Sequence, residues 1–200
     1  MRIARRNAVA VLALLGAALA APVQAEFDPI FDFIPLGGRS LLTDVLEGKP
    51  PAGEARALLT ETRSTQEWVQ YLKERKTSLA GLRGLAEEEL LTLADYLAVS
   101  MPLAADQVPA DPAAANWAQI LPRDGRDMAL EFCQSCHIIT VTVTQDRTVE
   151  HWLGTMNKPS HIEIKLTPRE REALARYLVL NAGIPIDRIP EDLRAGGASY

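Results

Sequence analysis

Five consecutive residues, Cys133-Gln134-Ser135-Cys136-His137, restrict this chain more than any other stretch. They follow residues 127–132, whose composition favours a helix. Residues three and four positions apart lie on one face of a helix, so both cysteines and the histidine point to the same side. The 200-residue chain contains no other cysteine and two other histidines. These three side chains are therefore placed to hold one bound group together.

A Cys-x-x-Cys-His sequence is the attachment signature of a c-type haem. The two thiols add to the haem vinyl groups as thioethers, and the histidine binds the iron as its proximal ligand. A structural zinc site needs further cysteine or histidine ligands. A thioredoxin-like pair follows a strand, and a disulfide across two residues has poor geometry. We therefore predict one covalently attached haem c at Cys133, Cys136 and His137.

The first 25 residues have the pattern of a secretory signal peptide. Three arginines precede an apolar run at residues 8–21, and residues 23–25 resemble a cleavage site. The apolar run is too short for a transmembrane anchor and ends at Pro22. Removing residues 1–25 takes the net charge from −5 to −8, because they include three arginines and no acidic residue. We expect a periplasmic protein with a mildly acidic surface.

This acidic surface also limits the partners that the chain can bind. It argues against nucleic acid and against an anionic membrane, and it suits a partner with a basic docking patch. After the signal peptide, no segment is apolar enough to span a membrane. The expected partners are therefore periplasmic proteins.

Capping signals and apolar spacing predict several helices. Ser64 and Thr167 each begin a capping box that ends in a glutamate three residues later. Asp124 can cap the helix that leads into the cysteine motif. Residues 85–100 place apolar side chains at i, i+3, i+4 and i+7, the spacing of an amphipathic helix. A shorter helix at residues 39–47 is predicted to end at the prolines that follow.

Other segments are expected to lack regular structure. Residues 101–115 carry three prolines among many alanines, which is typical of a linker. Residues 138–147 are rich in Thr, Val and Ile, but no second strand is available to pair with them. We expect an extended loop there, along the haem edge, and a tail at residues 186–200.

The two halves of the chain also resemble each other. Residues 63–68 correspond to 147–152, and residues 85–97 correspond to 166–178. The first pair shares an Arg–Trp spacing, and the second shares an Ala-x-Tyr-Leu sequence. The first half has neither cysteine nor histidine. This pattern indicates a duplication in which one half has lost its haem site as a unit.

The second half resembles the class I cytochromes c. Gly125, eight residues before Cys133, and the Tyr177-Leu178 pair match the two helices that cross in that family. The whole chain resembles a two-domain periplasmic cytochrome with one haem lost. The resemblance implies an all-α fold of two cytochrome c-like domains in tandem. Its expected boundaries are a domain without haem at 26–104, a linker at 105–118, a haem-binding domain at 119–187 and a tail at 188–200.

The resemblance also implies a distal iron ligand. In the two-domain sub-type, a methionine after the tryptophan binds the iron, and Met156 stands four residues after Trp152. The equivalent residue of the first half is Leu72. His161, in the loop beyond, is the alternative ligand and would give a bis-histidine iron; an open site is the third option. Trp152 and Arg147 are candidate contacts of a haem propionate.

A saturated iron implies one-electron transfer rather than catalysis. The sequence shows no acid–base group and no activated nucleophile, so we expect a protein that is not an enzyme. The expected function is that of an electron carrier, or of the cytochrome subunit of a periplasmic dehydrogenase or reductase. The alternative is a haem-based sensor of gas or another ligand, with a displaceable distal ligand.

Overall fold

The computed structural model describes residues 28–112, 115–161 and 163–194. Within these ranges the regular structure is entirely helical, with no strand. This confirms the all-α fold class. The predicted signal peptide at 1–25 lies outside the described residues. None of the helices in the described ranges is long and apolar enough to cross a membrane.

Three of the α-helices of the first half begin close to the predicted positions. Their bounds are α1 Gly38–Glu47, α2 Ala52–Thr60, α3 Thr65–Arg75 and α4 Glu87–Ser100. Ser64 caps α3, because its hydroxyl accepts a hydrogen bond from the Glu67 amide and the Glu67 carboxylate accepts one from the Ser64 amide. The sequence predicted α1, α3 and α4. It did not predict α2, which begins directly after Pro51 without a side-chain cap.

The second half contains shorter helices around one long one. Their bounds are α5 Trp117–Ile120, α6 Gly125–Met128, α7 Thr140–Val143, α8 Val149–Met156 and α9 Pro168–Asn181. A π-helix at Ala129–Cys133 continues α6. The prediction of an extended loop at 138–147 was wrong. Helix α7 forms there because Ile139 and Val143, four residues apart, are both buried.

Buried apolar side chains form two clusters, one in each half. The first cluster includes Trp117, although it belongs to the predicted linker, and its indole is 3% exposed. The second cluster contains Phe31 and Ile34 from the start of the described chain. It also contains Ile189 and Leu193 from the segment predicted as a tail. Both ends of the described residues therefore pack against the half that carries the cysteine motif.

The two halves have matching helix arrangements. Helices α1 and α3 pack on α4, and α6 and α8 pack on α9. A Cβ atom built on Gly38 would lie 2.1 Å from Cβ of Tyr96, and one built on Gly125 would lie 2.0 Å from Cβ of Tyr177. Both crossings therefore depend on a glycine that lets the helices approach closely. The sequence repeat relates the two tyrosines, and the structure adds the matching glycines, Gly38 and Gly125.

The halves contact each other through α4 and α9 in a reciprocal way. The Tyr96 hydroxyl donates to the Pro122 carbonyl at 2.8 Å, and the Tyr177 hydroxyl donates to the Pro35 carbonyl at 2.6 Å. Pro35 precedes α1 and Pro122 precedes α6, so each tyrosine bonds to the segment before the glycine-containing helix of the other half. Between α4 and α9, the Arg176 guanidinium donates to the Asp95 carboxylate. The contacts between the halves are therefore partly reciprocal, as in an isologous interface.

Candidate haem site

The cysteine motif lies at the end of the helical stretch that begins at Gly125. Asp124 caps this stretch by accepting a hydrogen bond from the Asp127 amide at 3.0 Å. In the π-helical turn, the amide of Gln134 donates to the carbonyl of Ala129, five residues earlier, at 3.2 Å. The stretch then ends in a turn in which the His137 amide donates to the Cys133 carbonyl at 3.2 Å. A π-helical turn shifts all later side chains around the helix axis and is frequent at functional sites.

The two thiols have different surroundings. Neither forms a disulfide; Cys133 is half-buried and packs against the second cluster, whereas Cys136 is exposed. Burial raises the pKa of the Cys133 thiol from 9.0 to about 11, although a hydrogen bond with Thr142 works in the opposite direction. Cys133 therefore remains a neutral thiol at neutral pH. The His137 imidazole is exposed beside Cys136.

His161 lies close to His137. The centroids of the two imidazole rings are 6.5 Å apart, and the ring planes are inclined by 50°. His161 is half-buried, and the Ser160 hydroxyl lies 3.2 Å from its Nδ1 atom. Sequence analysis gave His161 only as the alternative distal ligand. In the structure, its ring lies next to that of His137, the last residue of the motif.

Met156 is the last residue of α8. Its side chain is 6% exposed and belongs to the second cluster. The equivalent Leu72 is completely buried in the first cluster. An apolar side chain is therefore buried at this position in both halves, with or without the cysteine motif. Burial of Met156 is accounted for by packing alone.

Arg147 and Trp152 contact each other. The Arg147 guanidinium lies 5.0 Å from the Trp152 ring centroid and donates to the Thr155 hydroxyl at 2.8 Å. Arg63 lies over Trp68 in the same way, at 5.2 Å. Within the described residues, the indole nitrogens of both tryptophans are buried without a hydrogen-bond partner. Because the first half lacks the motif, these shared features do not by themselves indicate a haem contact.

The donor set of the second half fits a c-type haem. It combines two free thiols, an exposed imidazole that follows Cys136 in the sequence, and a second imidazole whose ring centroid lies 6.5 Å from that of the first. The buried Thr140 hydroxyl, three residues after the motif, has no hydrogen-bond partner among the described residues. Cys133, Cys136 and His137 are the residues that would hold the haem.

Two supporting residues were not predicted from the sequence. The Gln134 side chain, inside the motif, accepts a hydrogen bond from the Ile139 amide at 2.5 Å and so shapes the turn after His137. The Arg171 guanidinium donates to the carbonyls of Met156 at 2.6 Å and Ile164 at 2.9 Å. It therefore ties together the two ends of the loop that carries His161. Neither role has a sequence signal, because both depend on contacts formed only in the folded chain.

Comparison with known proteins adds no family to this description. No family model matches the chain, and neither a curated protein nor a solved structure matches it.

Proposed function

We propose that this protein is a periplasmic c-type cytochrome with one haem, which transfers single electrons. The observation that carries the proposal is the group of Cys133, Cys136 and His137, with free thiols and an exposed imidazole at the end of one helical stretch. A bound haem c supplies one-electron exchange between the ferrous and ferric states of its iron. The chain attaches this group through two thioethers and holds the iron through His137.

The surroundings of the motif suit electron exchange with a partner. Cys133 faces the apolar second cluster, whereas Cys136 and His137 are open to solvent. A group attached at both thiols thus borders the core on one side and the surface on the other. Apolar packing keeps water from one side, which favours a stable redox centre.

The first half is proposed to be a cytochrome c-like domain that has lost its haem. The glycine–tyrosine crossings of both halves support this proposal. Without a thiol or an imidazole, the first half can supply interface but no redox group. This supports a role as an electron carrier, or as the cytochrome subunit of a periplasmic dehydrogenase or reductase, with a redox protein as its partner.

The haem content of the periplasmic protein tests the proposal. The intact mass should exceed that of the processed chain by one haem, and the double variant Cys133→Ser/Cys136→Ser should lose this increment. The matched variant Ser135→Ala, inside the motif but not attached, should keep it. A mass without haem would refute the cytochrome proposal, and a mass with two haems would refute the loss of one site.

Carbon monoxide separates electron transfer from sensing. A saturated iron should give no spectral change when the gas is added to the reduced protein at neutral pH. Rapid and complete binding would contradict the carrier proposal and favour the haem-based sensor.

A further inference from the structure

The distance between His137 and His161 matches the separation of two imidazoles bound to opposite sides of one metal ion. A metal–imidazole nitrogen bond is about 2.0–2.1 Å long. The centre of an imidazole ring lies about 1.1 Å from each ring atom, given ring bonds of roughly 1.33 Å. Two such ligands in line with the metal have ring centroids about 6.3 Å apart. The observed separation of the ring centroids is 6.5 Å.

We propose that His161, rather than Met156, is the distal ligand of the iron. This inference rests on the proposed function, because it concerns the second axial position of the same haem. The inclination of 50° between the two rings is compatible with both nitrogens pointing at one atom, since rotation about the axis through the metal leaves both bonds intact. His137 and His161 would then hold the haem between them.

The loop around His161 supports this geometry. The His161 amide donates to the Lys158 carbonyl at 2.8 Å, and the His161 carbonyl accepts from the Ile164 amide at 3.1 Å. Arg171 fixes both ends of the loop. Ser160 contacts Nδ1, which leaves Nε2 as the nitrogen for the metal. A hydrogen bond to one imidazole nitrogen is the usual way in which a protein orients the other toward a metal.

The repeat argues against Met156. Its counterpart Leu72 is buried in a half that has neither cysteine nor histidine, so burial at this position serves the apolar core. His161 is half-buried, and its ring lies beside that of His137. Methionine ligation raises the reduction potential of a haem. Ligation by two histidines therefore implies a lower potential, and a redox partner that works at lower potential, than the family resemblance suggests.

Spectra of the ferric protein test this assignment. Wild type should be low-spin and should lack the weak far-red band that an iron–thioether bond produces. Met156→Leu introduces the residue that the first half has at the equivalent position, Leu72. It should leave the spectrum and the reduction potential of the haem unchanged. His161→Ala should become high-spin, bind carbon monoxide when reduced, and return to the low-spin spectrum when free imidazole is added. His151→Ala is the matched control, because His151 is exposed on α8.

A far-red band in wild type that disappears in Met156→Leu would overturn the inference, and so would a His161→Ala spectrum identical to that of wild type. If His161→Ala does not fold, the wild-type and Met156→Leu spectra still decide, since only methionine ligation produces the far-red band. Covalent haem is measured by intact mass on each sample. A wild-type chain without haem refutes the proposed function, whereas a chain with haem and a thioether band refutes only the histidine assignment.

Discussion

The substitution Gly125→Ala tests the contact between the helix that leads to the motif and α9. A Cβ atom on Gly125 would lie 2.0 Å from Cβ of Tyr177 and 2.5 Å from its Cγ. Non-bonded carbon atoms approach to about 3.5–4.0 Å, so the helices have to separate by about 1.5 Å. Cβ of Tyr177 is fixed by the backbone, so rotation of the side chain cannot relieve the overlap.

Two terms set the size of the effect. Overpacking of this kind costs about 1–3 kcal/mol. Displacement of Tyr177 also stretches the 2.6 Å hydrogen bond from its hydroxyl to the Pro35 carbonyl, which contributes about 1 kcal/mol. We therefore expect Gly125→Ala to lower the free energy of unfolding by about 3 kcal/mol. Gly38→Ala should have a similar effect, because its Cβ would lie 2.1 Å from Cβ of Tyr96.

Urea denaturation followed by circular dichroism measures this difference. Gly154→Ala is the matched control, since Gly154 lies in α8 and no atom lies within 4 Å of its added Cβ. That substitution should stabilise the protein by up to about 1 kcal/mol through its higher helix propensity. The same chemical change thus has opposite expected signs at two positions. A Gly125→Ala protein as stable as Gly154→Ala would refute the packing argument.

Two further effects on stability follow from the contacts of α4 and α9. Tyr96→Phe and Tyr177→Phe each remove a hydroxyl that bonds to a proline carbonyl of the other half, so each should cost about 1 kcal/mol in urea denaturation; unchanged stability of both would contradict the reciprocal bonds. Burial by itself raises the pKa of Glu170, but hydrogen bonds from Thr167 and Arg123 lower it below its ordinary value of 4.5. The stability that these bonds add is fully present above the ordinary pKa of 4.5 and is lost as the pH falls through the lower pKa of the folded state. Glu170→Gln should therefore reduce the loss of stability on acidification. A pH profile of stability that is the same in this variant and in wild type would contradict the assignment.

Capping residues and amphipathic spacing in the sequence predicted the helices in which they occur. Ser64 and Thr167 form the capping boxes that their sequences indicate, and α3 and α9 begin directly after them. Helix α2 was missed because it starts after a proline pair without a capping side chain. Helix α7 was missed because its threonines and valines favour strands, and burial of Ile139 and Val143 overrides that preference.

Features that join distant residues could not be predicted in this way. The π-helical turn at Ala129–Cys133 changes the helix register by one residue without a local signal. The hydrogen bond of Tyr177 to Pro35 connects residues 142 positions apart. The choice between Met156 and His161 likewise depends on where the loop after α8 folds. The family resemblance favours Met156, because it stands four residues after Trp152. The proximity of the His161 ring to the His137 ring is visible only in the folded loop.

The similar helix contacts of the two halves give this protein an internal control for assigning function. Residues shared by equivalent positions have the same contacts in both halves: Gly125 and Gly38 allow helix crossing, and Trp68 and Trp152 each lie under an arginine. A role in haem binding cannot be inferred from such residues, because the first half keeps them without a thiol or an imidazole. The second half differs from the first in the cysteine motif, in the π-helical turn that leads into it, and in His161, whose ring centroid lies 6.5 Å from that of His137. Met156 and His151 are also unique to the second half. A difference between the halves is therefore necessary for a role in the proposed chemistry but not sufficient, and the choice between Met156 and His161 depends on the geometry of the loop after α8.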